Sequence, residues 1–273
     1  MNAFSEVYDE VAYVYDGSLE GLLSAIFQAY ARHEEPSDVV SEGALQPRLG
    51  QRVCSIETDA ALAHRVKRGI QRVAGRPAFR AVLKASLSGD PDAGSHAYRF
   101  VRYAMADGGK GSVNNIAHPA VAPLHAIVRA VNQECEHIRQ FARFKHIRTD
   151  SADLWFARIN PRDRVVPLVM DHFVERFNIQ PFILYDEVHG MAGVYDGSTW
   201  YHVMPDTDVM LDREGACVEE VLMQDAWKRF YRSLSVDARY NPELRRQLMP
   251  KRFWRNLTEM QEDVDGLRCQ GRS

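Results

Sequence analysis

Residues 119–146 keep one face of a helix apolar for longer than any other stretch of the chain, and whatever the chain folds into has to bury that face. Val121, Leu124, Val128, Val131, Cys135, Ile138 and Ala142 recur at alternating steps of three and four, the period of an α-helix. Opposite them stand Asn132, Glu136, Arg139 and Arg143, a polar row that turns basic toward its end. With 45% hydrophobic and 10% aromatic residues over 273 positions, the chain has material for a sizeable core, in one large domain or two modest ones.

Charge is segregated. The formal net charge is −3, from 34 Lys and Arg against 37 Asp and Glu, which by itself argues against nucleic acid as a partner. The distribution argues the other way: Arg65, Lys67, Arg68, Arg72, Arg76, Arg80 and Lys84 succeed one another with no acid between them. Arg245, Arg246, Lys251, Arg252 and Arg255 form a second acid-free cluster. Such segregation produces a local positive potential in a slightly negative protein. Cys54, Cys135, Cys217 and Cys269 are widely spaced without a Cys-x-x-Cys pair, so neither a disulfide framework nor a zinc ribbon is expected. The first ten residues are acidic where a secretory leader is basic and then apolar, and no apolar run nears the ~20 residues that span a bilayer. A cytoplasmic protein is expected.

Along the chain, residues 11–15 read as a strand, and Asp16-Gly17-Ser18 opens a helix that runs through His33. A loop with Pro36, Gly43, Pro47 and Gly50 leads to a strand over 52–57. Helices come next from Asp59, over 77–87 and over 93–106. The segment Gly108-Gly109-Lys110-Gly111-Ser112 is a flexible connection and no phosphate-binding loop: that motif needs Gly where Ala104 stands and Ser or Thr where Gly111 stands, and it follows a strand. Beyond the long helix come a strand over 154–159, a helix over 165–177, and strands over 182–187, 191–195 and 199–204, the last two joined by Asp196-Gly197. Helices over 218–234 and 242–248 complete the reading. Val-Tyr-Asp-Gly-Ser occurs at both 14–18 and 194–198, feeding a helix once and a strand once, so it reads as coincidence and not as a repeat. Short strands, an antiparallel pair and runs of helices predict an α+β fold, a small mainly antiparallel sheet packed against several helices with a helix-rich first half. We expect one domain over residues 1–257, with 59–107 as a candidate helical lobe and 258–273 as a mobile polar tail.

Candidate chemistry is sparse. His137, with Phe141 and Phe144 beyond it at helical steps, reads either as a general base or phosphate contact, or as a histidine hydrogen-bonded at a helix–sheet boundary. Asp171-His172, with Arg176 one turn on, either positions a phosphate and activates water or forms a helix-surface ion pair. Cys135 occupies an apolar stripe position and is two residues from His137, a spacing at which helical side chains do not converge on a metal, so no metal is expected. Glu134, Glu136, Glu219 and Glu220 read as ordinary surface-helix acids. Basic rows at helical spacing neutralise successive phosphates, and Phe141, Phe144, Phe253 and Trp254 supply rings on which unpaired bases stack; the competing reading makes the rows solvated faces and the rings core.

Asp16-Gly17-Ser18 with Gly21-Leu22-Leu23, Phe141-Ala142-Arg143-Phe144, Pro167-Leu168 with Asp171-His172-Phe173 and Arg176-Phe177, and Pro250-Lys251-Arg252-Phe253-Trp254 together resemble the radical-SAM-associated putative DNA metabolism family, a bacterial domain of unknown function. The resemblance covers nearly the whole chain before the tail. It implies a cytoplasmic protein in DNA repair or DNA modification, working beside a separate radical S-adenosylmethionine protein; some members carry a fused uracil-DNA glycosylase-like domain, which these 273 residues do not include. Arg143, Asp171, His172, Arg176, Arg252 and Trp254 match the family pattern, whereas the His that stands five residues before the matching Phe is replaced by Glu136, with His137 beside it. No Cys-x-x-x-Cys-x-x-Cys run is present, so the resemblance implies no cofactor here and assigns the iron–sulfur cluster to the partner.

The leading expectation is a component that binds DNA, with Arg139, Arg143, Arg176, Lys251 and Arg252 on phosphates and Trp254 stacking. The alternatives are a hydrolytic enzyme on nucleic acid, with His172, Asp171 and His137 as its catalytic groups, and a protein-interaction scaffold that touches no nucleic acid.

Overall fold

The computed structural model describes residues 10–148, 153–204 and 242–260. The fold is α+β and divides into two compact units, Met1–Gln133 and Glu134–Ser273.

The first unit is built on β1 (Val11–Tyr15), whose Ala12 and Tyr13 are fully buried. It is the middle strand of a three-stranded sheet in the order β2-β1-β3, with β2 Asp38–Ser41 and β3 Arg52–Ser55, and both pairings are parallel. Parallel neighbours need a crossover, and α1 (Leu19–Ala31) provides the one from β1 to β2. Its start is fixed by short polar side chains. Asp16 Oδ1 accepts from the Ser18 amide at 2.9 Å, and Ser18 Oγ caps the helix by accepting from the Gly21 amide at 2.9 Å. Thr58 Oγ1 donates to Asp16 Oδ2 at 2.8 Å, tying the residues after β3 to the end of β1. Gly21 is required there because a Cβ on it would lie 2.2 Å from Asp16 Oδ1.

The strand β2 was not expected; its four residues lie in the segment read as a loop. Val39 and Val40 are buried, and the outer edge of β2 is covered by α4 (Ala93–Tyr103), whose Ser95 Oγ accepts from the Val39 amide at 2.9 Å. Such a run, flanked by Pro36 and Gly43, carries too little periodicity to stand out. Asp59 caps α2 (Ala60–Val73) through the amides of Ala61 and Leu62. Helix α3 (Arg76–Ser86) has Pro77 in its first turn. Helix α4 ends three residues earlier than expected, and a single π-helical turn, Ala104–Gly108, succeeds it.

Helix α5 (Ala122–Phe141) is the long amphipathic element, and it is shorter than its sequence signal. Val121, Leu124, Ile127, Val131, Cys135, Ile138 and Ala142 are buried, so the stripe is as expected except that Ile127 takes the place of Val128. The chain leaves the helix after Phe141 because period-two chemistry takes over: Lys145-His146-Ile147-Arg148 forms β4, with Ile147 buried.

The second unit holds a five-stranded sheet in the order β4-β5-β6-β7-β8, where β5 is Asp153–Ile159, β6 Phe182–Asp186, β7 Met191–Tyr195 and β8 Trp200–Val203. Only β5 and β6 are parallel, joined through α6 (Val166–Phe177); the other neighbours are antiparallel, which is the mainly antiparallel sheet the sequence predicts. Phe144, Phe173, Phe177, Phe182 and Tyr195 form one run of ring contacts on the α6 face. Helix α6 approaches so closely that a Cβ on Gly193 would lie 2.3 Å from Met170 Sδ. The turn at Asp196-Gly197 is present, with Asp196 accepting from the amides of Ser198 and Thr199. Helix α7 (Pro242–Leu248) and 3₁₀ turns at Lys251–Asn256 and Thr258–Met260 come last, so described structure runs three residues past the expected end of the domain. The helix expected over 218–234 lies outside the described residues. Among the described residues no helix is long and apolar enough to cross a membrane.

Candidate functional site

Glu134, read from sequence as a surface acid, is 4% exposed and organises the end of α5. Its Oε1 accepts from the Arg162 amide at 2.8 Å, and its Oε2 accepts from the Arg252 guanidinium. One turn on, His137 Nδ1 lies 3.6 Å from the same carboxylate, beyond hydrogen-bond reach. That nitrogen is buried and, among the described residues, has no hydrogen-bond partner. The imidazole stacks on Phe141 at 5.9 Å and meets the edge of Phe253 at 5.7 Å, while the Arg252 guanidinium covers Phe253 at 4.6 Å. The cluster therefore joins Glu134, His137 and Arg252 with two phenylalanines. What it does chemically is hold the 3₁₀ turn onto α5, because both carboxylate oxygens are already engaged.

Several other cations among the described residues of this unit are committed too. Arg139 pairs with Glu136 at 2.5 Å and reaches the Leu168 carbonyl. Arg143 pairs at 2.7 Å with Glu259, whose side chain is 2% exposed. Arg255 grips Glu187 through both oxygens, at 2.6 and 2.7 Å, and Arg158 and Asn160 add further bonds. Burial alone raises the Glu187 carboxyl, but the Asn160 amide and the Arg255 and Arg158 guanidinium groups outweigh it and hold the group below its usual range. Arg176 and Lys251 are exposed, with the Lys251 ammonium 6.0 Å above the half-buried Trp254 ring. Trp254 Nε1 donates to the Met249 carbonyl at 3.0 Å.

Asp171 and His172 are exposed on α6. Asp171 Oδ1 accepts from Trp200 Nε1 at 2.8 Å, and the His172 ring sets its edge against Phe173 at 5.2 Å. Among the described residues no hydrogen bond, ion pair or ring contact joins either of them to His137. The three groups named for hydrolysis therefore do not assemble into one relay. Among the described residues no group of three or more His, Cys, Asp and Glu could hold a metal ion.

In the first unit Arg48, Arg52 and Arg102 are likewise paired with carboxylates, but on α2 and α3 the situation is reversed. Arg65, Lys67, Arg68 and Arg72 on α2, and Arg76 and Arg80 on α3, are all exposed. Among the described residues no carboxylate pairs with any of them, and the segment 60–86 that carries them holds no acid. Arg65 lies over the Phe27 ring at 5.5 Å and Lys67 over Phe79 at 5.3 Å, contacts that leave the charge unneutralised. Lys84 bonds the Asn132 side chain, a neutral acceptor.

Residues 91–259 match the family described as a domain of unknown function, DUF4130. The chain belongs to that family. The matched segment starts just before α4 and takes in α5, the five-stranded sheet and the Glu134–Arg252 cluster, while the cations of α2 and α3 precede it. No curated protein matches the chain.

Proposed function

We propose that this protein is a nucleic-acid-binding component of DNA repair or DNA modification, and that it grips phosphates with the α2–α3 face. The observation that carries this reading is the run of six exposed cations from Arg65 to Arg80, none of them paired with a carboxylate among the described residues. A cation already held by a buried carboxylate gains little from a phosphate, because the existing pair has to be broken first; an unpaired one gains the full attraction and releases the phosphate's counterions. By that criterion Arg68 and Arg72 outrank Arg143 and Arg252, while Arg176 and Lys251 remain secondary contacts. The resemblance to the radical-SAM-associated family supplies the setting: any radical step, with its cluster, belongs to a partner protein.

The test is fluorescence anisotropy of a labelled oligonucleotide with the purified chain at low salt. Reversing two charges, Arg68→Glu with Arg72→Glu, is expected to weaken binding by at least tenfold. Undiminished binding by that variant contradicts the assignment of the face; no binding by the wild type contradicts nucleic-acid binding and leaves the scaffold reading.

A further inference from the structure

Beside the basic face the first unit has a cleft of about 480 Å³, within the range of small-molecule sites. Tyr30 in the C-terminal turn of α1 and His33 just beyond the helix form one wall, and Arg102 with Met105 forms the other. The floor is apolar, with Ala29 fully buried, whereas Tyr30 is 40% exposed, so that part of its ring is open to a ligand. The Arg102 guanidinium lies 5.4 Å from the centroid of that ring. Arg102 also pairs with Glu35, but the Glu35 side chain is 76% exposed, so the pair is weak and a phosphate can displace the carboxylate. Met105 sits in the π-helical turn after α4, a form of backbone frequent at functional sites.

The cleft adjoins the basic face. A Cβ on Gly69 of α2 would touch Met105 Cε at 3.9 Å, and Phe27, which lies under Arg65, is one helical turn from Tyr30 on α1. An aromatic platform, a guanidinium and an imidazole around an apolar floor suit a planar ring attached to an anion. Together with the phosphate-binding face next to it, this is the chemistry of an unpaired nucleotide.

We propose that the cleft receives one unstacked nucleobase of a strand held on the α2 face, with the base on Tyr30 and Arg102 and His33 toward its phosphate. This rests on the nucleic-acid reading above and adds to it a preference for unpaired bases. The test compares a short single-stranded oligothymidylate with an abasic strand of the same length, which carries the same phosphates and no bases. The oligothymidylate is expected to bind about tenfold tighter, by the stacking of one base. Tyr30→Ala is expected to abolish that difference, Tyr30→Phe to keep it, and Arg68→Glu with Arg72→Glu to weaken both strands alike. Equal binding of the two strands by the wild type, or an unchanged preference in Tyr30→Ala, overturns the cleft and leaves phosphate binding standing; no binding of either strand overturns both.

Discussion

Glu134 and Arg252 are 118 positions apart in sequence and share a hydrogen-bonded ion pair, with 5% and 24% of their side chains exposed. This bond fastens the 3₁₀ turn Lys251–Asn256 to α5, and it means that Arg252, unlike the exposed Lys251 beside it, is already neutralised within the fold. Removing one partner leaves the other charge largely buried, Glu134 with only the Arg162 amide and Arg252 with only the Phe253 ring and partial contact with solvent. Glu134→Ala is therefore expected to cost about 3 kcal/mol of unfolding free energy, and Arg252→Ala a similar amount. Denaturant titration measures this; losses under ~0.5 kcal/mol would place the pair among ordinary surface contacts.

Gly21 gives a prediction whose sign decides. Replacing a helical Gly by Ala normally stabilises by about 0.5–1 kcal/mol. Here the new Cβ meets Asp16 Oδ1 at 2.2 Å, and Asp16 cannot retreat without losing Ser18 and Thr58. Gly21→Ala is expected to destabilise by about 1–3 kcal/mol, and a higher melting temperature for the variant would show that the turn at Asp16 yields freely.

Asp196 sets a pH dependence. The amides of Thr199 and Ser198, together with the Ser198 hydroxyl, hold its carboxyl down from an ordinary 3.8 to about 2. A folded-state value below the unfolded one means that the stabilisation is complete above pH ~4 and is lost as pH falls toward 2. The stability difference between the wild type and Asp196→Ala is expected to shrink across that window, as monitored by circular dichroism; a difference that holds constant down to pH 2 would contradict the assignment.

Most of the architecture is legible in the sequence because it is local. Ser18, Asp59 and Asp196-Gly197 mark element ends through bonds to amides two or three residues away, and the apolar stripe of α5 reads directly as buried surface. The identical pentapeptides at 14–18 and 194–198 make the same Asp-to-Ser bonds, and the residues beyond each copy decide whether the chain continues as a helix or as a strand. The strand β2 escaped because it is four residues long and depends on β1 and Ser95 for its pairing. The site was less legible. Whether Arg143 and Arg252 are available depends on Glu259 and Glu134, each more than a hundred positions distant, and no local pattern announces such a pairing. The acid-free run from Arg65 to Lys84 is also without a carboxylate partner among the described residues, whereas in the second acid-free cluster Arg252 and Arg255 pair with Glu134 and Glu187, so the absence of a nearby acid in sequence does not by itself tell the two apart.

The most direct test is the salt dependence of single-stranded DNA affinity in two paired variants, Arg68→Ala with Arg72→Ala and Arg143→Ala with Arg252→Ala. Each phosphate contact adds about −0.7 to the slope of log K against log salt, so losing two is expected to flatten the slope by about 1.4 in the first variant. The second is expected to lose stability and keep the wild-type slope. The reverse outcome, an unchanged slope in Arg68→Ala with Arg72→Ala and a flattened one in Arg143→Ala with Arg252→Ala, would contradict the account and return the phosphate contacts to the end of α5.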